Sequence, residues 1–468
     1  MKQSLRPLAL AAVVLASPVS AQTLPLGGRA LPPLPVGGLP PLPAGGLQPL
    51  AVGALSPLPV GGLLQTVPSA INGTTQDLGQ TLNNALHTAA AIVHDAVGRP
   101  GGFRSALETV NGMQIVRGEV LAIAPAANDL ATARAQGFTL LRQENFTTLG
   151  LAAAVLLAPD SMNTEAALAA LRKADPAGHY DYNHIYEPSG DAATAPSSAP
   201  TASAPLHAGL DVTSVGMIDA GLDRDHPAFK QAHIEARCFA ANKPGPPTAH
   251  GTAVASLLIG DDDSFHGFLK DATLYAADVY CGQPSGGSAE AIVRALAWLA
   301  QNRIAVVNVS LSGPPNALLG AATAAFIRRG EVLVAAVGNG GPAAPQTYPA
   351  AYPGVVGVTS VDAENEIQLD ANRGPDVAFA ARGVDVRAAT LHGSYTRVTG
   401  TSFAAPVVTA LFARLVPAPD PTAITRAWLT LRHAAVDLGA PGRDPVFGYG
   451  YLGPPASAAE PARMSSGG

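Results

Sequence analysis

The sequence predicts an α/β fold: a parallel sheet with helices on both faces, preceded by a small α+β domain of split βαβ type. Three observations carry this. From residue 206 onward, short apolar strands alternate with helical segments, the pattern of a parallel sheet covered on both faces. Residues 114–187 read strand, helix, strand, strand, helix, strand. Between them, residues 188–206 are Ala, Ser, Pro and Thr with almost no large apolar side chains, so a linker is expected.

Residues 1–21 have the pattern of a signal peptide. Lys2 and Arg6 give a positive start, 8–16 a short apolar run, and Val19-Ser20-Ala21 small residues for cleavage. Export is therefore expected, extracellular, periplasmic or at the cell surface. Losing Lys2 and Arg6 takes the net charge from -6 to -8. Residues 22–65 repeat Pro-Leu-Pro-Val-Gly-Gly at 33–38 and 57–62. Proline removes backbone donors and glycine raises the entropic cost of order, so this reads as an extended linker. A surface-adhesive or envelope-spanning segment is the alternative. Residues 66–113 read as helical or irregular, with an apolar stripe at Leu78, Leu82, Leu86, Ala89, Val93 and Val97.

In the small domain, strands are expected at 115–124, 139–142, 149–157 and 180–186, and helices at 128–136 and 164–173. In the larger one, 207–455, strands are expected at 212–218, 272–280, 305–311, 332–337 and 355–361. Helices are expected at 252–259, after Ser288, at 317–329 and from Phe403. A disordered tail is expected at 456–468. In sheets of this kind a site lies at the carboxyl ends of the strands.

The chemistry gathers there. Residues 400–406 read Gly-Thr-Ser-Phe-Ala-Ala-Pro. A small-residue turn delivers Ser402 to a helix start, where free N–H groups favour developing negative charge. Pro406 is tolerable if it falls in the first turn. Residues 215–227 read Val-Gly-Met-Ile-Asp-Ala-Gly-Leu-Asp-Arg-Asp-His-Pro and put Asp219 at a strand end. Alone, Asp219 reads as well as a turn aspartate. His250, in Ala-His-Gly-Thr-Ala-Val-Ala-Ser at 249–256, opens a helix. Asn339, in Ala-Ala-Val-Gly-Asn-Gly-Gly-Pro at 335–342, offers an amide to an oxyanion, with the Ser402 N–H as second donor. An Asn-Gly turn is the plainer reading. Ser310, Leu311, Ser312 and Gly313 end a strand that a peptide could extend.

In the order Asp219, His250, Asn339, Ser402, these motifs resemble the subtilisin-like serine proteases, over about residues 207–455. The order of Asp, His and Ser is the one given for subtilisin itself among triad enzymes. Phe-Gly-Tyr-Gly-Tyr-Leu at 447–452 belongs to the same resemblance, and 114–187 looks like that family's inhibitory propeptide. The resemblance implies a serine endopeptidase made as an autoprocessed precursor. Ser402 would be the nucleophile, His250 the base and Asp219 the orienting acid. Ser310, Leu311, Ser312, Gly313 and Gly338 would line the P1 pocket, and the glycine-rich stretch 283–288, with Gly286 and Gly287, would flank the substrate on the other side. Ala253, Ala255-Ser256, Arg382 and Leu369-Asp370 depart from the family's usual residues.

Cys238 and Cys281, the two cysteines, are expected to pair, since in an exported chain a disulfide is favoured over a metal site. Calcium is raised by the resemblance, but no site is assignable and no cofactor is expected. There is no basic run or aromatic-basic interleaving for nucleic acid, and no apolar run long enough to span a membrane. Polypeptide substrates, the chain's own propeptide as an intramolecular inhibitor, and a monomer are the expected partners and state.

Overall fold

The computed structural model describes residues 106–196 and 214–453. The expected signal peptide, the low-complexity stretch, the helical stripe, residues 197–206 of the linker and the tail lie outside these residues.

The N-terminal module runs β1 (Leu107–Val110), β2 (Met113–Ile123), α1 (Ala127–Ala135), β3 (Thr139–Phe146), β4 (Leu151–Leu157), α2 (Thr164–Ala174) and β5 (Tyr180–His184). All its pairings are antiparallel; β4 lies between β3 and β2, and β1 and β5 both pair with β2. The expected start at 114 is too late, because β1 is already part of the sheet. Asn111 and Gly112, both at positive φ (51° and 79°), make the two-residue hairpin turn between β1 and β2. Alternation along β2 divides the module's contacts. Val120 and Ala122 pack with Leu130, Ala133, Leu168 and Leu171 of its own helices. Leu121 and Ile123 face the other way, into a core shared with the larger module.

The chain then forms β6 (Glu187–Pro188) and β7 (Asp191–Pro196) where a linker was expected. Composition misses them because their order comes from backbone pairing onto the next module, which needs no large side chains.

The larger module follows with β8 (Ser214–Asp219), β9 (Ile234–Cys238), α3 (Ala249–Ile259), β10 (Asp261–Asp262), β11 (Phe265–His266), β12 (Thr273–Asp278), α4 (Ala289–Gln301), β13 (Val306–Val309) and β14 (Leu311–Ser312). It continues with α5 (Ala317–Arg328), β15 (Val332–Ala336), β16 (Val356–Val361), β17 (Val377–Arg382), β18 (Val386–Ala389), β19 (Tyr395–Thr399), α6 (Thr401–Leu415) and α7 (Pro421–Ala434). Seven strands form a parallel sheet in the order β17-β16-β15-β13-β8-β12-β9. Successive side chains serve opposite cores, as a doubly covered sheet requires. Val215, Met217, Val332 and Val334 pack with α3, α6 and α7. Ile218, Val307, Leu333 and Ala335 pack with α4, α5 and the N-terminal sheet.

Candidate active site

Asp219 closes β8 and is fully buried. Its Oδ1 accepts the Ala220 N–H at 2.7 Å and the His250 Nδ1 proton at 2.8 Å. A carboxylate on Nδ1 fixes that nitrogen as the protonated one and leaves Nε2 as the acceptor. Thr248 caps α3 by accepting the Gly251 N–H at 3.0 Å, and His250 follows on the first turn. A Cβ on Gly251 would stand 2.3 Å from the Ala220 carbonyl oxygen. Glycine there lets α3 come close enough for His250 to reach Asp219.

Ser402 lies on the first turn of α6, after Gly400. Pro406 falls inside that helix, beyond the first turn, which corrects the expectation. Proline lacks the N–H that the carbonyl four residues earlier, that of Ser402, would accept. The Ser310 hydroxyl supplies the replacement, donating to the Ser402 carbonyl at 2.9 Å. In return, Ser402 Oγ donates to the Ser310 carbonyl at 3.1 Å. His250 Nε2 makes no hydrogen bond among the described residues. The expected serine–imidazole bond is therefore not formed in this arrangement, although the His250 ring lies against Phe403, centroids 5.4 Å apart. Forming it means that Ser402 Oγ must leave the Ser310 carbonyl for His250 Nε2.

The chain's own segment 185–190 lies across this site. The Tyr186 N–H donates to the Gly287 carbonyl at 2.8 Å, and β6 pairs antiparallel with β14, Glu187 opposite Ser312 and Pro188 opposite Leu311. The Ser189 N–H donates to the Ser310 carbonyl at 3.1 Å, and the Ser189 carbonyl accepts the Ser402 N–H at 3.0 Å. The segment is thus an added strand between 286–288 and 310–313. The Tyr186 ring is wholly buried against Gly313, where a Cβ would come within 2.6 Å of it. Its hydroxyl donates to the Pro314 carbonyl at 2.7 Å, and the Tyr280 hydroxyl donates to the Tyr186 carbonyl at 2.6 Å. Burial pushes both phenols well above their ordinary 10, so they remain donors. Past Ser189, a Cβ on Gly190 would meet the Phe403 ring at 2.8 Å, and one on Gly400 would stand 2.6 Å from the Gly190 Cα. β7 then pairs with β19, which leads directly into Ser402.

The candidate residues thus converge. Ser310, Leu311, Ser312, Gly313 and Gly287 contact the bound segment, while Gly286 packs on the Tyr280 backbone. Gly338 is set back; its N–H donates to Thr401 Oγ1 at 3.2 Å and it braces the start of α6. Asn339 Oδ1 accepts the Thr401 N–H at 3.1 Å, and its Nδ2 faces Gly400, 3.3 Å from where a Cβ would be. A cavity of ≈ 720 Å³ opens beside Ser189, lined by Gly313, Pro314, Asn339, Gly340 and Thr347. Sequence reasoning missed Tyr186, Tyr280, Ser189 and Gly190 as site residues. For Tyr186, Ser189 and Gly190 the signal was the run Tyr-Glu-Pro-Ser-Gly at 186–190, an aromatic and then a Pro-Ser-Gly turn just after β5; Tyr280 carried none.

Cys238, ending β9, and Cys281, after β12, are joined, with S–S 2.11 Å and Cα atoms 5.7 Å apart. Closing that 43-residue separation stabilises by roughly 3–4 kcal/mol in the chain-entropy model. Among the described residues no group of three or more His, Cys, Asp or Glu side chains could hold a metal ion. No helix among them is long and apolar enough to cross a membrane.

The subtilase family model matches residues 211–450. The minor extracellular protease Epr of Bacillus subtilis is 34% identical over 46% of this chain, which spans only 33% of Epr. Subtilisin DY of Bacillus licheniformis is 31% identical over 48% of the chain, covering 84% of that relative. Among solved structures, fervidolysin from Fervidobacterium pennivorans, a keratinolytic enzyme related to subtilisin, matches with a TM-score of 0.60. It is 18% identical, and the match covers 74% of this chain and 61% of that one, a likeness of fold. Half of the chain, holding Asp219, His250, Asn339 and Ser402, matches the family model, and the chain belongs to the subtilase family.

Proposed function

We propose that this protein is an exported serine endopeptidase that works through an acyl-enzyme and is made as a self-processing precursor. The observation that carries the reading is the peptide across the site: the Ser189 carbonyl on the Ser402 N–H, beside the Asp219–His250 pair. Ser402 Oγ attacks the carbonyl carbon. His250 takes the proton and returns it to the departing amine, and Asp219 steadies the imidazolium. The Ser402 N–H and Asn339 Nδ2 stabilise the oxyanion. The bond so presented in cis is Ser189–Gly190. Residues 106–189 then act as the inhibitor, and other polypeptides are the substrates in trans.

The test is intact-mass spectrometry of the wild type beside Ser402→Ala. Cleavage leaving Gly190 as a new N-terminus, with the variant uncut, is the expected result. Both chains intact would sink self-processing. A second reading, a binding protein that keeps the fold, is favoured by the Ser402 Oγ bond to Ser310. Covalent labelling of Ser402 by a fluorophosphonate separates the two, since a serine locked on Ser310 would not react.

A further inference from the structure

Asn339 has a weakness as an oxyanion donor. Its side chain ends in two atoms of nearly equal size, and a half-turn would put Oδ1 where Nδ2 must be. The oxygen would then repel the charge it should stabilise. Two donors oppose that turn. One is the Thr401 N–H at 3.1 Å, from the helix that carries Ser402. The other is Gln368 Nε2 at 3.2 Å, from the segment after β16. Gln368 is itself 6% exposed, and its Nε2 also donates to Asp370 Oδ1 at 2.8 Å. With two acceptors around that nitrogen, the Gln368 amide is fixed, its Oε1 left without a partner. Asp370 is tied in turn, since its carbonyl accepts the Gly341 N–H at 2.7 Å from the loop beyond Asn339. By taking one of the two Nε2 protons, the Asp370 carboxylate leaves the other directed at Asn339 Oδ1.

We infer that Gln368, backed by Asp370, is a positioning residue for catalysis: it holds Asn339 with Nδ2 toward the scissile carbonyl. This rests on the endopeptidase reading above. Gln368 touches no part of the bound segment, so its effect belongs in kcat and not in KM. An interaction made only in the transition state behaves that way.

The experiment uses the full-length chain after its own processing, with a peptide spanning residues 184–193 as substrate. Gln368→Ala is expected to lower kcat about tenfold, the worth of one net hydrogen bond, with KM unchanged. Gln368→Glu should lose more, about a hundredfold, because a carboxylate facing Asn339 Oδ1 drives the half-turn and deletes the donor. That variant should recover relative to wild type as the pH falls and the introduced carboxylate gains a proton to donate. In an Asn339→Ala background, Gln368→Ala should cost nothing further. Equal losses in both backgrounds, an unchanged kcat, or a Gln368→Glu deficit independent of pH would overturn the inference. Gln368→Met covers the case in which the alanine variant fails to fold. Wild type and Ser402→Ala run alongside: if wild type does not cleave the peptide, the endopeptidase reading fails; if it does and the Gln368 variants match it, only this inference fails.

Discussion

At the scale of single residues, the site depends on who donates to whom. Asp219 Oδ1 holds the His250 Nδ1 proton, so Asp219→Asn, which offers an N–H or a weak carbonyl instead, favours the wrong tautomer. Turnover should fall by about four orders of magnitude with the thermal midpoint nearly unchanged. A loss under tenfold would mean that Asp219 is not the orienting acid. Gly251 makes a different kind of contribution. A methyl group there would collide with the Ala220 carbonyl oxygen, at 2.3 Å, so Gly251→Ala must push α3 away from β8. The expected result is a folded protein whose kcat drops by at least a hundredfold, the cost of misplacing a base by about an ångström. Wild-type activity in this variant would show that α3 has slack the packing does not suggest.

At the scale of elements, what could be read from the sequence was what side chains announce. β8, β13 and β15 are apolar runs, and α3 is marked by His250 and Gly251, while its cap, Thr248, was not read. β17 was missed because Val-Ala-Phe-Ala-Ala-Arg suits a helix as well as a strand, and only its pairing with β16 decides. β6 and β7 were missed because they are strands by partnership. Pro406 was misplaced because its remedy, the Ser310 hydroxyl, is 92 residues away in sequence. The docking of the N-terminal sheet was equally hidden. Asp181 Oδ2 accepts the Ala317 N–H at 2.7 Å at the head of α5, and Asn183 Oδ1 accepts the Glu290 N–H at 3.2 Å at the head of α4. Arg142 bonds both Glu290 and Glu119. Glu290 is only 4% exposed, so removing Arg142 leaves a buried carboxylate short of its partner. In an uncut Ser402→Ala chain, Arg142→Met should cost roughly 2 kcal/mol, less than a fully buried pair because Arg142 is part-exposed. Urea unfolding measures it. A restored stability in Arg142→Met with Glu290→Gln would show that the cost lay in the orphaned charge.

At the scale of the whole molecule, the two modules meet through a surface that includes one buried imidazole. His184 ends β5, is 3% exposed, and shares a hydrogen bond of 3.1 Å between its Nδ1 and Asn316 Nδ2. Its Nε2 is buried without a partner, and the Tyr182 ring stands edge-on 5.6 Å away. Burial lowers its pKa from the ordinary 6.5, and the nearby Asp181 carboxylate opposes this only in part. Once the module lifts off, His184 regains its ordinary pKa. Between the lowered value and 6.5, the free module holds a proton that the docked one rejects. Docking is therefore at full strength above 6.5 and weakens as the pH falls through that window, by at most about tenfold per pH unit. Glu144 works the other way: burial raises its pKa above 4.5, against the pull of Arg294, so acid favours its docked form. The His184 contribution must then be read by difference. After cis cleavage, size-exclusion chromatography of the noncovalent complex at pH 7.5 and 5.5 should show more release of residues up to 189 at the lower pH. His184→Gln, neutral throughout, should lose most of that dependence while leaving release at pH 7.5 close to wild type. If the variant keeps the full dependence, acid acts through other groups, and the buried imidazole is only packing.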